Sequence, residues 1–84
     1  MKELIAFVEL LCKSNLNESK AKILLYLYLK GPKTQKELTE ELNMKQTNVS
    51  LMISYLLDNK YIIKTKLHTS DVYTVNIDYC FHNL

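Results

Sequence analysis

The stretch from Thr34 to Ile62, TQKELTEELNMKQTNVSLMISYLLDNKYI, constrains this chain more than any other. Thr34-Gln35-Lys36-Glu37 has the form of a capping box, in which a threonine hydroxyl caps a helix start and a glutamate reaches back to the cap. Leu38 and Leu42 supply the inner face of that helix. Asn43 follows where a left-handed residue is wanted, and asparagine is the best substitute for glycine there. Lys45 to Asn59 reads as the next helix. Two short helices therefore meet at a tight turn. Tyr61 to Leu67 and Val72 to Asp78 then alternate in the manner of paired strands, joined by His68-Thr69-Ser70-Asp71.

Upstream, Asn17 is an N-cap with Glu18 favourably placed in the first turn of a helix running to Lys30. ILLYLYL, Ile23 to Leu29, has the composition of a buried strand. Its length, the cap before it and the Gly31-Pro32 stop after it favour helix. Tyr26 and Tyr28 are expected at the core edge with their hydroxyls in water. Lys2 to Lys13 carries Leu4, Phe7, Val8 and Leu11 at helical spacing, and Ile5, Leu10 and Cys12 widen the apolar surface. A helix apolar on most sides needs two partners: its own domain and, here, a second subunit. Ser14 to Asn17 reads as a break.

At 84 residues the chain holds one domain. A domain of this size buries only about 60–65% of its unfolded surface, so its core is marginal alone. An apolar content of 48% leaves surface for oligomerisation. No apolar run approaches the roughly 20 residues of a membrane span, and the start lacks a signal-peptide layout, so a cytoplasmic protein is expected. Cys12 and Cys80 form no CxxC pair. Two buried thiols fit, as does a disulfide within or between chains. The spacing of Cys80 and His82 matches no zinc signature, and neither a metal nor a cofactor is expected.

Charge placement says more than the net charge of +2. All eleven basic residues are lysine, which suits an AT-rich genome of archaeal or viral kind. Lysine holds phosphate as a point charge but lacks arginine's fork for guanine. On the Lys45–Asn59 helix, Val49, Met52, Ile53 and Leu56 cluster on one face. Thr47, Leu51 and Ser54 lie opposite, flanked by Asn48, Ser50 and Tyr55. That outer face carries no acid before Asp58 and no glutamate–lysine pairs. Short hydrogen-bonding side chains without repulsive charge suit a helix in a major groove. Lys64, Lys66 and His68 share one side of the first strand, with Lys60 just before. Such a hairpin can lie along phosphates or enter a minor groove; lysine on an edge strand also guards against aggregation.

The run from Asn17 to Val75 resembles the core of the MarR, ArsR and TrmB kinds of transcription regulator. SKAKILLYLYLKGPKTQKELTEELNMKQTNVS and LLDNKYI carry the likeness, over about 60 residues. The resemblance implies an α+β, mostly α, winged helix-turn-helix: three core helices plus a two-stranded β-wing, with an extra N-terminal helix. Residues 1–16 would be the extra helix, 17–59 the helical core with the helix-turn-helix at 34–59, 60–78 the wing and 79–84 a tail. It places Gln46, Thr47, Asn48, Ser50, Leu51 and Ser54 toward the groove, with Lys45 at the helix start. Lys33, Gln35 and Lys36 match positions that touch phosphate, and Lys64, Lys66 and His68 match the wing. Lys45 stands where a serine cap is common. Leu51 replaces a basic residue and could meet a thymine methyl instead. Lys60 replaces a glycine, so Asn59 is expected to take the left-handed turn.

These features together imply a sequence-specific double-stranded-DNA-binding regulator, of repressor type because little chain is left for a module that recruits polymerase. A homodimer would join through Leu4, Ile5, Val8, Leu11 and Cys12 of the first helix and Tyr79 and Phe81 of the tail. Its recognition helices would sit about one DNA turn, roughly 34 Å, apart on a pseudo-palindromic site. A small-molecule effector at a dimer interface is compatible with this, its identity unknown. The alternative is a winged helix used for protein contact in a transcription-related assembly. No spacing assembles a nucleophile, base and orienting acid, so no enzyme is expected.

Overall fold

The computed structural model describes Glu9 and residues 16–82. Its elements are α1 (Glu18–Lys30), α2 (Gln35–Glu41), α3 (Gln46–Asp58), β1 (Ile62–Leu67), β2 (Ser70–Val75) and α4 (Ile77–His82). Ile23, Leu24 and Leu27 of α1, Leu38 of α2, and Val49, Met52, Ile53 and Leu56 of α3 form the core. Ile62, Tyr73, Val75 and Cys80 close it from the hairpin side.

Local chemistry sets the helix ends. The Asn17 side chain accepts from the Lys20 N–H at 2.8 Å and starts α1. Gly31 ends it at φ +86°, donating to the Leu27 carbonyl at 2.9 Å. Side-chained residues rarely adopt that backbone, which is why glycine stands there. Thr34 and Glu37 form the expected capping box, with bonds of 3.0 and 2.9 Å. After α2, Asn43 turns left-handed at φ +53°. Its N–H bonds to the Glu40 carbonyl at 3.3 Å, and that of Met44 to Thr39 at 3.1 Å. These two bonds make a Schellman turn, which satisfies carbonyls the helix leaves open and redirects the chain into α3.

A second Schellman turn ends α3, and it corrects the sequence expectation. Lys60, not Asn59, is left-handed, with φ +67° against −94°. The Tyr61 N–H closes on Leu56 at 2.9 Å and that of Lys60 on Leu57 at 3.1 Å. This ring requires the left-handed residue directly before Tyr61. Asn59 serves the helix differently, donating its side-chain amide to the Tyr55 carbonyl at 2.9 Å.

The hairpin also differs from the expectation. The antiparallel register runs from Ile62 opposite Val75 to Leu67 opposite Ser70, so only His68 and Thr69 form the loop. His68 has φ +59° and Thr69 does not turn positive, a pattern suited to a two-residue hairpin. Ser70 and Asp71 belong to β2 rather than the loop, and Ile77 and Asp78 begin a helix rather than ending a strand. Asn76 is the reason: its side chain accepts from the Tyr79 N–H at 3.3 Å and its carbonyl from Cys80 at 2.9 Å. The wing is thus shorter than 60–78, and the tail begins as α4.

β2 is flanked on both edges. Lys33 pairs with Tyr73 by reciprocal backbone bonds of 3.1 and 2.7 Å, adding a single-residue third strand. Val72, Tyr73 and Val75 are buried, whereas only Ile62 of β1 is. The rest of β1 stands clear of the core, which makes the hairpin a projecting wing. No helix among the described residues is long and apolar enough to cross a membrane.

Candidate nucleic-acid interface

Packing decides which face of α3 is free. Val49, Met52, Ile53 and Leu56 fill the core, so Gln46, Thr47, Asn48, Ser50, Leu51 and Ser54 are left exposed, as the helical wheel requires. Lys45 sits at the N-cap without a side-chain capping bond, and the first turn carries no acid. The ammonium of Lys45 is therefore exposed at the positive end of the helix dipole. Leu51 is 71% exposed and Tyr55 40%.

Two open clefts flank the first half of α3, each about 510 Å³. One brings Gln35 and Lys36 at the start of α2 to Gln46, with Thr39 and Glu40. The other sets Asn17 and Ser19 at the start of α1 against Lys45, Asn48 and Leu51. The fold thus sets Gln35 and Lys36 beside Gln46, and the start of α1 beside Lys45, Asn48 and Leu51. It adds Asn17 and Ser19, which sequence reading missed. It also adds Lys20, whose Nζ lies 4.4 Å from the centre of the Tyr55 ring. This cation–π contact braces Tyr55 at the border of the surface. Residues so far apart in the chain carry no local signal of the meeting.

The lysines are not equivalent. Lys33 is turned to Glu41, with Nζ 3.2 Å from Oε1, and is not free as expected for phosphate. The Tyr26 hydroxyl donates to the same carboxylate, so it is not simply in water. These hydrogen bonds, the tyrosine's first and then the lysine's, hold Glu41 below the usual carboxylate range. The bond to Glu41 raises both Tyr26 and Lys33. Lys66 lies 3.0 Å from Asp71 across the wing. Lys36, Lys45 and Lys64 are exposed and make no ion pair among the described residues. His68 occupies the wing tip.

Leu4, Ile5, Val8, Leu11 and Cys12, and the side chain of Phe81, lie outside the described residues. Tyr79 packs edge-on against Tyr61, with ring centres 6.1 Å apart. Cys80 is a free, buried thiol, its Sγ 3.7 Å from the Tyr61 carbonyl, and burial pushes it up to about 11. Among the described residues no group of three His, Cys, Asp or Glu side chains could hold a metal.

A three-helix core, a sharp turn before an outward-facing third helix and a projecting hairpin define a winged helix-turn-helix fold. The MarR family model matches residues 16–71, and the chain belongs to the MarR family, whose members are transcription regulators rather than enzymes. The fold is similar to that of the transcriptional regulator HlyU from Vibrio vulnificus CMCP6, at 22% identity and a TM-score of 0.72, covering 99% of this chain and 85% of that one. Reduced HlyU from Vibrio cholerae N16961 gives 17% identity and a TM-score of 0.69, covering 98% and 81%. Disulfide-formed AbfR gives 15% and 0.70, covering 98% of this chain and 58% of that one. At these identities the likeness speaks to the fold. No curated protein sequence matches.

Proposed function

We propose that this chain is a homodimeric, sequence-specific DNA-binding repressor that acts in the cytoplasm. The exposed, acid-free outer face of α3 carries the reading. Residues 45–59 would lie in the major groove, with Gln46, Thr47, Asn48, Ser50, Leu51 and Ser54 at the bases. Lys36, Lys45 and Gln35 would hold phosphates, and residues 64–72 of the wing would follow the backbone or minor groove through Lys64, Lys66 and His68. Membership of the MarR family supports a DNA-binding regulator. Dimerisation through the apolar segment 2–13 and the α4 region would set two α3 helices on a pseudo-palindrome. A repressor needs only to occupy a promoter.

The test is fluorescence anisotropy with duplex DNA from upstream of its own gene and with random duplex, across about 50–200 mM salt. Preference for the upstream duplex that survives high salt is expected. Combining Ser50→Glu with Ser54→Glu should abolish that preference without unfolding the protein, since both side chains are exposed. Unchanged affinity would exclude this face.

A second reading, a winged helix that docks another protein, draws on the exposed Leu51 and Tyr55 and on the loss of one wing charge to the Lys66–Asp71 pair. Equal, salt-labile binding to both duplexes together with a captured protein partner would favour it.

A further inference from the structure

Leu51 and Tyr55 lie one turn apart on α3, yet the fold treats them differently. Lys20 lies over the Tyr55 ring. Leu51 remains 71% exposed, the most exposed of the large apolar side chains described. Thr47, Ser50 and Ser54 around it are all shorter. The outward face therefore presents one projecting aliphatic group set in small polar ones.

We infer that the major-groove core of the site this chain reads consists of A·T pairs, with Leu51 seated on a thymine C5-methyl and Asn48 on a neighbouring adenine. This rests on the DNA-binding reading and specifies what that surface selects. The thymine methyl is the main apolar feature a base pair shows in the major groove. Against a G·C pair, leucine would strip water from polar edges and return no hydrogen bond.

The polar neighbours point the same way. Guanine is most often read by a basic side chain on its O6 and N7. The chain has no arginine, and no lysine lies between Gln46 and Ser54. Lys45 stands at the N-cap, ahead of that face, and its ammonium is a point charge suited to phosphate. Asn48 and Gln46 are the side-chain types that pair with adenine N6 and N7. Asn48 and Leu51 are three residues apart, hence neighbours on one helix face, and they would meet adjacent base pairs.

The experiment selects duplexes from a randomised pool with the full chain, then replaces each thymine of the selected core with uracil. That change removes the methyl and keeps the pairing edge. The pool should converge on an A·T core. One or two uracil positions should weaken binding about fourfold each, the worth of a buried methyl-sized group. Leu51→Ala should weaken binding to the thymine duplex and be indifferent to uracil at those positions. Specific binding to a G·C core, or specific binding indifferent to every uracil, overturns the inference and leaves the DNA-binding reading standing. A pool that yields no preferred sequence overturns both.

Discussion

Lys66 Nζ and Asp71 Oδ1 face each other at 3.0 Å across the wing, at directly paired positions of β1 and β2. Both side chains are exposed, so the pair contributes only about 0–1 kcal/mol to stability. Its larger effect is on what Lys66 can offer a phosphate. Asp71→Asn should leave stability nearly unchanged and raise DNA affinity a few-fold at low salt. The slope of log affinity against log salt should steepen by up to about 0.9, the value of one phosphate contact. Anisotropy across the same salt range measures this. An unchanged slope, with Lys64→Ala still weakening binding, would place Lys66 off the DNA.

Lys60 is strained where it stands. Its φ of +67° lies in the left-handed region, which side-chained residues reach at a cost of roughly 1–2 kcal/mol. Lys60→Gly removes that cost but gives the unfolded chain more freedom, worth roughly 0.5–1 kcal/mol in the other direction. A net gain of about 0.5–1 kcal/mol is expected, seen as a higher urea midpoint with an unchanged slope. A loss of stability would mean that the lysine side chain makes a compensating contact.

How much could be read from the chain follows from how local each feature is. The Thr34–Glu37 box, the Asn43 turn and the Asn17 cap each involve residues a few positions apart, and the sequence displays them. Val72 to Asp78 misleads because alternation continues past Val75, although Asn76 caps a helix there with Asp78 in its first turn. Asn59 and Lys60 mislead for another reason. Propensity favours asparagine in a left-handed turn, but the Tyr61–Leu56 bond fixes which position turns. The outer face of α3 was legible by periodicity. The Lys20–Tyr55 contact and the convergence of Tyr26 and Lys33 on Glu41 were not, since they join residues brought together only by packing.

Cys80 should be chemically silent in the folded protein. Its thiol is buried and raised to about 11, so at pH 8 only about one molecule in a thousand carries the reactive thiolate. In a Cys12→Ser background, a disulfide reagent should leave native protein unlabelled on the time scale that labels the urea-unfolded chain. Equal rates in the two states would show that α4 opens readily and exposes the thiol.

Tyr26 and Lys33, from α1 and the bridge before α2, both hold the Glu41 carboxylate at the end of α2. Glu41 is lowered first by the tyrosine hydrogen bond and then by the lysine, so its contribution is present above the unfolded carboxylate value, about 4.3. It is lost as pH falls through the lower, folded value. Tyr26 and Lys33 are raised, so their contributions are whole below about 10 and lost as pH rises through their folded values. The stability difference between the wild type and Glu41→Gln should therefore be flat from about pH 5.5 to 9 and shrink on both sides. Urea midpoints from pH 3 to 11 test this, and the effect should be modest because the cluster meets solvent. A difference that stays constant down to pH 3 would show that Glu41 acts through packing rather than through its charge.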